Sequence, residues 1–306
     1  MLKKIILANP HGYCPGVERA INIVEKALEK YGKPIYVRHE IVHNEHVIDS
    51  LKKKGVVFID NLDQIPNDSL VIFSAHGVPP SVIEKAKKRN LKINDATCPL
   101  VNKVHLEAIK YNSLGYSIIL IGKKGHQEVI GTLGYAPMHL VEKVDDVSKL
   151  NIPNNDKIIC LTQTTLSLDD TKEIVDALKI KFPHLQYPPL GDICFATQNR
   201  QNAVKKMAEL TNLILIVGSE TSSNSKRLVE TAKLAGVNAY LINDRSHIKE
   251  EWFDNIDAVG ITSGASAPEK LVIEVVNHIQ DLFPNAKIEG IRYKQEDVTF
   301  SLPKEL

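Results

Sequence analysis

Short β-branched and aliphatic runs alternate along this chain with longer segments whose apolar residues recur every three or four positions. The short runs are KKIILAN, PIYVRHE, GVVFID, LVIFSA, SIILIG, KIICLT, LILIVG, AYLIN and AVGITS, each of strand length. Between them lie ERAINIVEKALEKYG, SVIEKAKKRN, VNKVHLEAIKYNSLG and QNAVKKMAELTN, which carry the helical period. Strands alternating with helices predict an α/β fold with mainly parallel sheets. No low-complexity stretch or long Gly/Ser linker interrupts the pattern, so the domains are expected to pack directly on one another.

Three helical segments begin alike. Cys14 leads into PGVERAINIVEKAL, Cys98 into PLVNKVHLEAIKY, and Cys194 into FATQNRQNAVKKMAEL. The spacings, 84 residues (98 − 14) and 96 residues (194 − 98), approach the size of one small α/β unit. They predict three related small α/β domains over 1–97, 98–193 and 194–306, the first strand being one that can join the third unit. Pro15 and Pro99 follow their cysteines, and proline suits the first position of a helix. Unsatisfied N–H groups and partial positive charge at a helix start stabilise a thiolate, the form that binds metal. Cys160 differs, because it stands inside the apolar run KIICLT and is assigned to the core.

Composition narrows the setting. The 306 residues are 43% apolar and 25% charged, the ordinary globular mixture. Thirty-eight basic residues against 37 acidic ones leave a formal net charge of +1, which argues against nucleic-acid binding. No apolar run reaches the ~20 residues of a membrane span. The opening MLKKIILANP has too short an apolar run for an export signal and reads as a first strand. A cytoplasmic location is expected, where four cysteines are not disulfides.

Ligands of parallel α/β sheets bind beyond the carboxyl ends of the strands. Those ends are rich in hydrogen-bonding residues: His43; Ser74 to Gly77 with His76; Gly122 to Glu128 with His126; Thr162 to Thr165; Gly218 to Ser225 with Ser222, Ser223 and Asn224; and Thr262 to Ser266. Imidazoles, hydroxyls, an amide and glycine-rich backbone suit a diphosphate or similar oxyanion. Neither a Walker A sequence nor GxGxxG after the first strand is present, so no nucleotide cofactor is indicated. Three thiolates and three histidines are a possible zinc set. Three cysteines arriving from three separate units suit better a cubane iron–sulfur cluster with one iron left open.

At these residues the chain resembles the 4-hydroxy-3-methylbut-2-enyl diphosphate reductases of the non-mevalonate isoprenoid pathway. The resemblance rests on ANPHGYCPGVERAI, YVRHEIVHNEHVIDSLKKKG, VIFSAHGV, DATCPLVNKVH, LTQTTLSLDDT, GDICFATQNRQ, GSETSSNSKRL and ITSGASAPE, which span nearly the whole chain in order. It implies a trefoil of three α/β units around a central 4Fe–4S cluster ligated by Cys14, Cys98 and Cys194. It implies a diphosphate site of His43, His76, His126, Ser222, Ser223, Asn224 and Ser266. Thr164 and Glu128 would then lie near the substrate's hydroxymethyl end, with Glu128 the proton source. The implied reaction is a two-electron, two-proton reductive dehydroxylation of an allylic diphosphate, with ferredoxin or flavodoxin as electron donor. His11, Pro15, Lys123, Lys124 and Gly191 depart from the usual family residues, and none is an implied ligand. Two other readings exist: a non-catalytic iron–sulfur or zinc sensor of a phosphorylated metabolite, and a zinc diphosphate hydrolase. The second lacks its usual carboxylate-rich metal site, and Glu128 with the hydroxyl-rich loops exceeds what the first requires.

Overall fold

The computed structural model describes residues 2–152, 157–188, 191–304 and 306. In chain order the first elements are β1 (Lys4–Asn9), α1 (Pro15–Tyr31), β2 (Ile35–Arg38), α2 (Glu45–Lys53), β3 (Val56–Ile59), β4 (Leu70–Phe73), α3 (Pro80–Lys88) and β5 (Lys92–Asp95). Next come α4 (Pro99–Ser113), β6 (Ser117–Ile121), α5 (Gln127–Leu133), β7 (Met138–Val141), α6 (Val144–Lys149), β8 (Ile158–Thr162) and α7 (Leu168–Lys181). The last are α8 (Phe195–Ala208), β9 (Leu213–Val217), α9 (Ser223–Leu234), β10 (Asn238–Ile242), β11 (Ala258–Ser263), α10 (Glu269–Leu282) and β12 (Lys287–Arg292).

These strands form three parallel sheets, ordered β10-β9-β11-β1-β12, β3-β2-β4-β5 and β7-β6-β8. A parallel bridge from Gln186 to Ile159 continues the last sheet past β8. Each sheet therefore repeats one order: outer strand, first strand, third strand, and then the segment that leads to a cysteine. That segment is β5 before Cys98 and the Gln186 bridge before Cys194, while β1 before Cys14 pairs with β11 in register Ile5↔Val259. The mixed α/β class with parallel sheets is thus as the alternating pattern predicts.

By contact density the described chain forms two compact units. One comprises Met1–Pro15, His43–Val47 and Phe195–Thr299; the other comprises Gly16–Val42, Ile48–Cys194 and Phe300–Leu306. In the first, Ile5, Leu213, Leu215, Val217, Val259 and Ile261 pack with Val272, Val275 and Ile279 of α10. Their neighbours Ile6, Ala8, Ile214 and Ile216 face Ala203, Val204 and Met207 of α8 and Leu228 of α9. Both faces of the sheet are covered, which explains the uninterrupted apolar run LILIV. In the second unit Ile119, Ile121, Ile158 and Cys160 pack against α7, while Ile118, Leu120, Ile159 and Leu161 meet Val104 and Ala108 of α4.

Two glycines of the first unit make room for one helix. A Cβ on Gly218 would lie 2.3 Å, and one on Gly264 2.0 Å, from Oγ of Ser225 in the first turn of α9. The start of that helix is thereby seated against the ends of β9 and β11. Gly264→Ala is expected to lower stability by about 1–3 kcal/mol, the usual cost of overpacking. A Ser225→Ala background removes the 2.0 Å contact and leaves Cβ and Cα of residue 225 at 3.2 and 3.5 Å from the new methyl. Denaturant melts of the double variant should recover at least half of the loss; no recovery would mean that the clash lies elsewhere.

Candidate active site

One backbone contact recurs at all three helix-opening cysteines. The N–H of Cys14 donates to the carbonyl of Ala265, that of Cys98 to Ala75, and that of Cys194 to Thr164, each at 3.0 Å. Each acceptor stands two residues beyond the end of a strand, β11, β4 and β8 respectively. Each cysteine immediately precedes a helix, α1, α4 or α8. The main chain at the thiol is thus fixed on one side by a sheet and on the other by a helix start. All three side chains remain half-buried, whereas Cys160 is fully buried in β8 and burial pushes its thiol pKa upward. Among the described residues, no three His, Cys, Asp or Glu side chains gather as the donors of a single metal ion.

In the second unit, Glu128 on α5 is 3% exposed. Its carboxylate accepts the N–H of Thr164 at 2.6 Å and the Thr164 hydroxyl at 3.0 Å. Burial raises the Glu128 pKa to about 7; the two Thr164 hydrogen bonds oppose that shift and the charge of Asp192 adds to it. His126 caps the same helix, its ring Nδ1 accepting the Glu128 N–H at 3.2 Å, which leaves the ring proton on Nε2. His76 meets His126 edge to face at 5.8 Å between ring centres. Gly77, beside it, has φ +79°, and a Cβ there would lie 2.5 Å from Cε1 of His105. His105 is buried and stacked on Tyr135, and burial lowers its pKa to about 4, so it supports the loop as a neutral ring. The structure thus joins Glu128 with Thr164 and His76 with His126.

In the first unit, Ser222 caps α9, its hydroxyl accepting the Ser225 N–H at 3.2 Å. Asn224 follows in the first turn at 5% exposure, and neither Oδ1 nor Nδ2 has a hydrogen-bond partner. Buried amides are ordinarily paired, so an unsatisfied one at a helix N-terminus suits a bound anion. Ser223 beside it is half-buried. Ser266 donates from its hydroxyl to the His43 carbonyl at 2.9 Å, which joins those two positions as well.

The residue pattern did not single out four groups that hold these segments. Asp192 accepts the Thr162 N–H at 2.9 Å and the Lys103 ammonium at 2.8 Å, and Lys103 also donates to the Gly191 carbonyl at 2.6 Å. These bonds tie the residues just before Cys194 to the helix that Cys98 opens. Arg200 on α8 is 0% exposed, and Arg19 lies on α1. Asp192 and Arg200 both fall within GDICFATQNRQ, where charges in an otherwise buried helix start were the available signal.

Three parallel sheets, each followed by a cysteine at a helix mouth, define an α/β protein of three cysteine-led units. The chain belongs to the LytB protein family, whose model matches residues 5–280. It is 52% identical over 308 residues to the 4-hydroxy-3-methylbut-2-enyl diphosphate reductase of Pseudoalteromonas translucida, with 99% of each chain covered. It is 50% identical to the protein of that name from Histophilus somni, over 99% of this chain and 98% of the other. The solved structure of the E-1-hydroxy-2-methyl-but-2-enyl-4-diphosphate reductase from Plasmodium falciparum superposes with a TM-score of 0.97 at 44% identity, covering 100% of this chain and 97% of that one. A second solved reductase, described as the terminal enzyme of the non-mevalonate pathway, gives 0.66 at 33% identity over 92% and 100%.

The raised pKa of Glu128 has a thermodynamic consequence. The native state holds this proton more tightly than the unfolded chain does. Its contribution to stability is therefore complete below the unfolded value near 4.5 and is lost as pH rises through about 7. Glu128→Gln, which cannot ionise, escapes that loss. The melting temperature of the variant minus that of the wild type is expected to rise between pH 5 and pH 8; a difference independent of pH would contradict the burial of an ionisable acid here.

Proposed function

We propose that this chain is a 4-hydroxy-3-methylbut-2-enyl diphosphate reductase, converting its substrate to isopentenyl and dimethylallyl diphosphates. Two electrons and two protons enter, the allylic C–O bond breaks, and water leaves. Full-length relationship to reductases of that name supports the reaction. The observation within the molecule that carries it is the buried Glu128–Thr164 pair, an acid whose pKa burial raises to about 7.

The donor set fits a cluster: three half-buried thiols, each at the positive end of a helix and each with its main chain held by the same type of bond. A 4Fe–4S cluster bound by Cys14, Cys98 and Cys194 would supply the electrons and a Lewis-acidic iron for the substrate oxygen. The electrons would come from a ferredoxin or flavodoxin. The chain's own side chains do the rest. The diphosphate is held by His43, His76, His126, Ser222, Ser223, Asn224 and Ser266, and Asn224 gains the partners it otherwise lacks. Glu128 donates its proton to the departing hydroxyl, and Thr164 orients that carboxyl through two hydrogen bonds. No helix among the described residues is long and apolar enough to cross a membrane. The near-zero net charge accords with a small-molecule enzyme of the cytoplasm that binds no nucleic acid.

Glu128→Gln preserves shape but removes the exchangeable proton. Its turnover with a chemical reductant is expected to fall by about 10²–10⁴, the usual worth of a general acid, while substrate affinity stays near wild type. Wild-type turnover in that variant would remove Glu128 from the role. Ser222→Ala combined with Asn224→Ala should weaken substrate binding by about 1–3 kcal/mol in anaerobic calorimetry, with bound iron unchanged. Unaltered affinity would place the diphosphate elsewhere. For the cysteines, serine at position 14, 98 or 194 is expected to cost the cluster, and Cys160→Ala to keep it. Iron analysis that shows Cys160→Ala as depleted as the others, in a folded protein, would mean the wrong three were chosen.

A further inference from the structure

Two arginines connect the C-terminal tail to main-chain carbonyls within two residues of each helix-opening cysteine. In the first unit, buried Arg200 donates from Nη2 to the carbonyl of Gly12 at 3.0 Å and from Nη1 to that of Ala196 at 3.1 Å. Gly12 lies two residues before Cys14, and Ala196 two residues after Cys194. Nη1 also reaches both carboxylate oxygens of Glu296 in the tail, at 3.1 and 3.2 Å, and Asn199 donates to the same carboxylate at 3.0 Å. In the second unit, Arg19 donates from Nη1 to the carbonyl of Thr97, the residue before Cys98, at 3.2 Å, and from Nε to the carbonyl of Ser301 at 2.9 Å. Glu296 and Ser301 are five positions apart on one strand-free segment beyond β12.

We infer that residues 296–301 act as a strap that positions the cysteines for their metal group through Arg200 and Arg19. A fully buried guanidinium is costly without a counter-charge, and Glu296 is the carboxylate that pairs with Arg200. With that pair made, and with its Nε without a partner, Arg200 also reaches from Nη1 and Nη2 to two main-chain carbonyls, each two residues from Cys194 or Cys14. Arg19 does the same beside Cys98. The Thr97 carbonyl belongs to the peptide that ends at the Cys98 N–H, while the Gly12 carbonyl belongs to a peptide one residue away from Cys14 and the Ala196 carbonyl to one two residues away from Cys194. Loosening them shifts the cysteine main chain directly in the first case and through the intervening residues in the other two; a multi-metal group tolerates little error in thiolate direction. Arg19, Arg200 and Glu296 are thus positioning residues, not ligands. Groups that orient ligands from the layer behind them commonly govern metal affinity by about 10–100-fold.

This inference rests on the reading that Cys14, Cys98 and Cys194 hold a cluster, and its test separates the two. Glu296→Gln and Arg19→Gln would be compared with the wild type and with Asp297→Asn, a tail control that touches only the exposed contact to Gln295. Each protein is purified without cluster, reconstituted anaerobically with iron and sulfide, and then exposed to a chelator. The expected result is normal circular dichroism, with iron lost at least about tenfold faster from the two strap variants and at the wild-type rate from the control. The rise in melting temperature on reconstitution should also shrink in the strap variants, because less cluster binding energy is coupled to the native state. A merely structural strap would lower the melting temperatures with and without cluster equally and leave the rise intact, which would overturn the inference. Wild-type chelation rates in both strap variants would overturn it too, and the cluster reading would stand. A wild-type chain that takes up no iron would end both.

Discussion

Everything proposed for this molecule depends on a single main-chain contact made three times: a cysteine N–H bonded to the carbonyl two residues past the end of a parallel strand. Parallel sheets leave their strand ends pointing at loops, and helices that return from those loops start with unpaired N–H groups. A thiol at that junction gains a positive local field without losing access to a ligand. The bond to the strand-end carbonyl fixes the cysteine against the sheet, whose double-sided apolar packing makes it rigid. Cys160 shows the contrast. Its sulfur sits in the middle of a strand, and burial there pushes its thiol away from ionisation.

Around this frame the molecule leaves certain polar groups in conditions that ordinary folding would remove. Glu128 is buried with hydrogen bonds that favour its charged form, and desolvation still wins, which holds the carboxyl near neutrality's midpoint. Asn224 is buried with both amide atoms unsatisfied. Each arrangement lowers stability and each suits a ligand, a proton acceptor in one case and an anion in the other. The buried Arg200 instead carries its counter-charge: Glu296 and two carbonyls accept from its Nη atoms, and Asn199 donates to the same Glu296.

The strands with continuous apolar runs, such as LILIV and IICLT, were legible because both of their faces are buried. KIND, MHLV and KIEGIR were not. They are edge strands with at most one buried residue each, so neither an apolar run nor a clean alternation marks them. The three cysteine-led helix starts were visible in the sequence, since the helical period marks all three and proline marks those after Cys14 and Cys98. The bonds that organise those starts were hidden, because Asp192, Lys103, Arg19 and Arg200 act through carbonyls and partners far away in the chain. Pairings such as Arg200 with Glu296, 96 residues apart, carry no local signature.

The central claim is that this chain uses three cysteines to carry a cluster for reductive chemistry. Anaerobic purification of the unmodified protein followed by iron, acid-labile sulfide and zinc analysis tests it most directly. The expected result is a brown protein with about four iron and four sulfide per chain, the content of a cubane cluster. A colourless protein with one zinc per chain and no labile sulfide would contradict it.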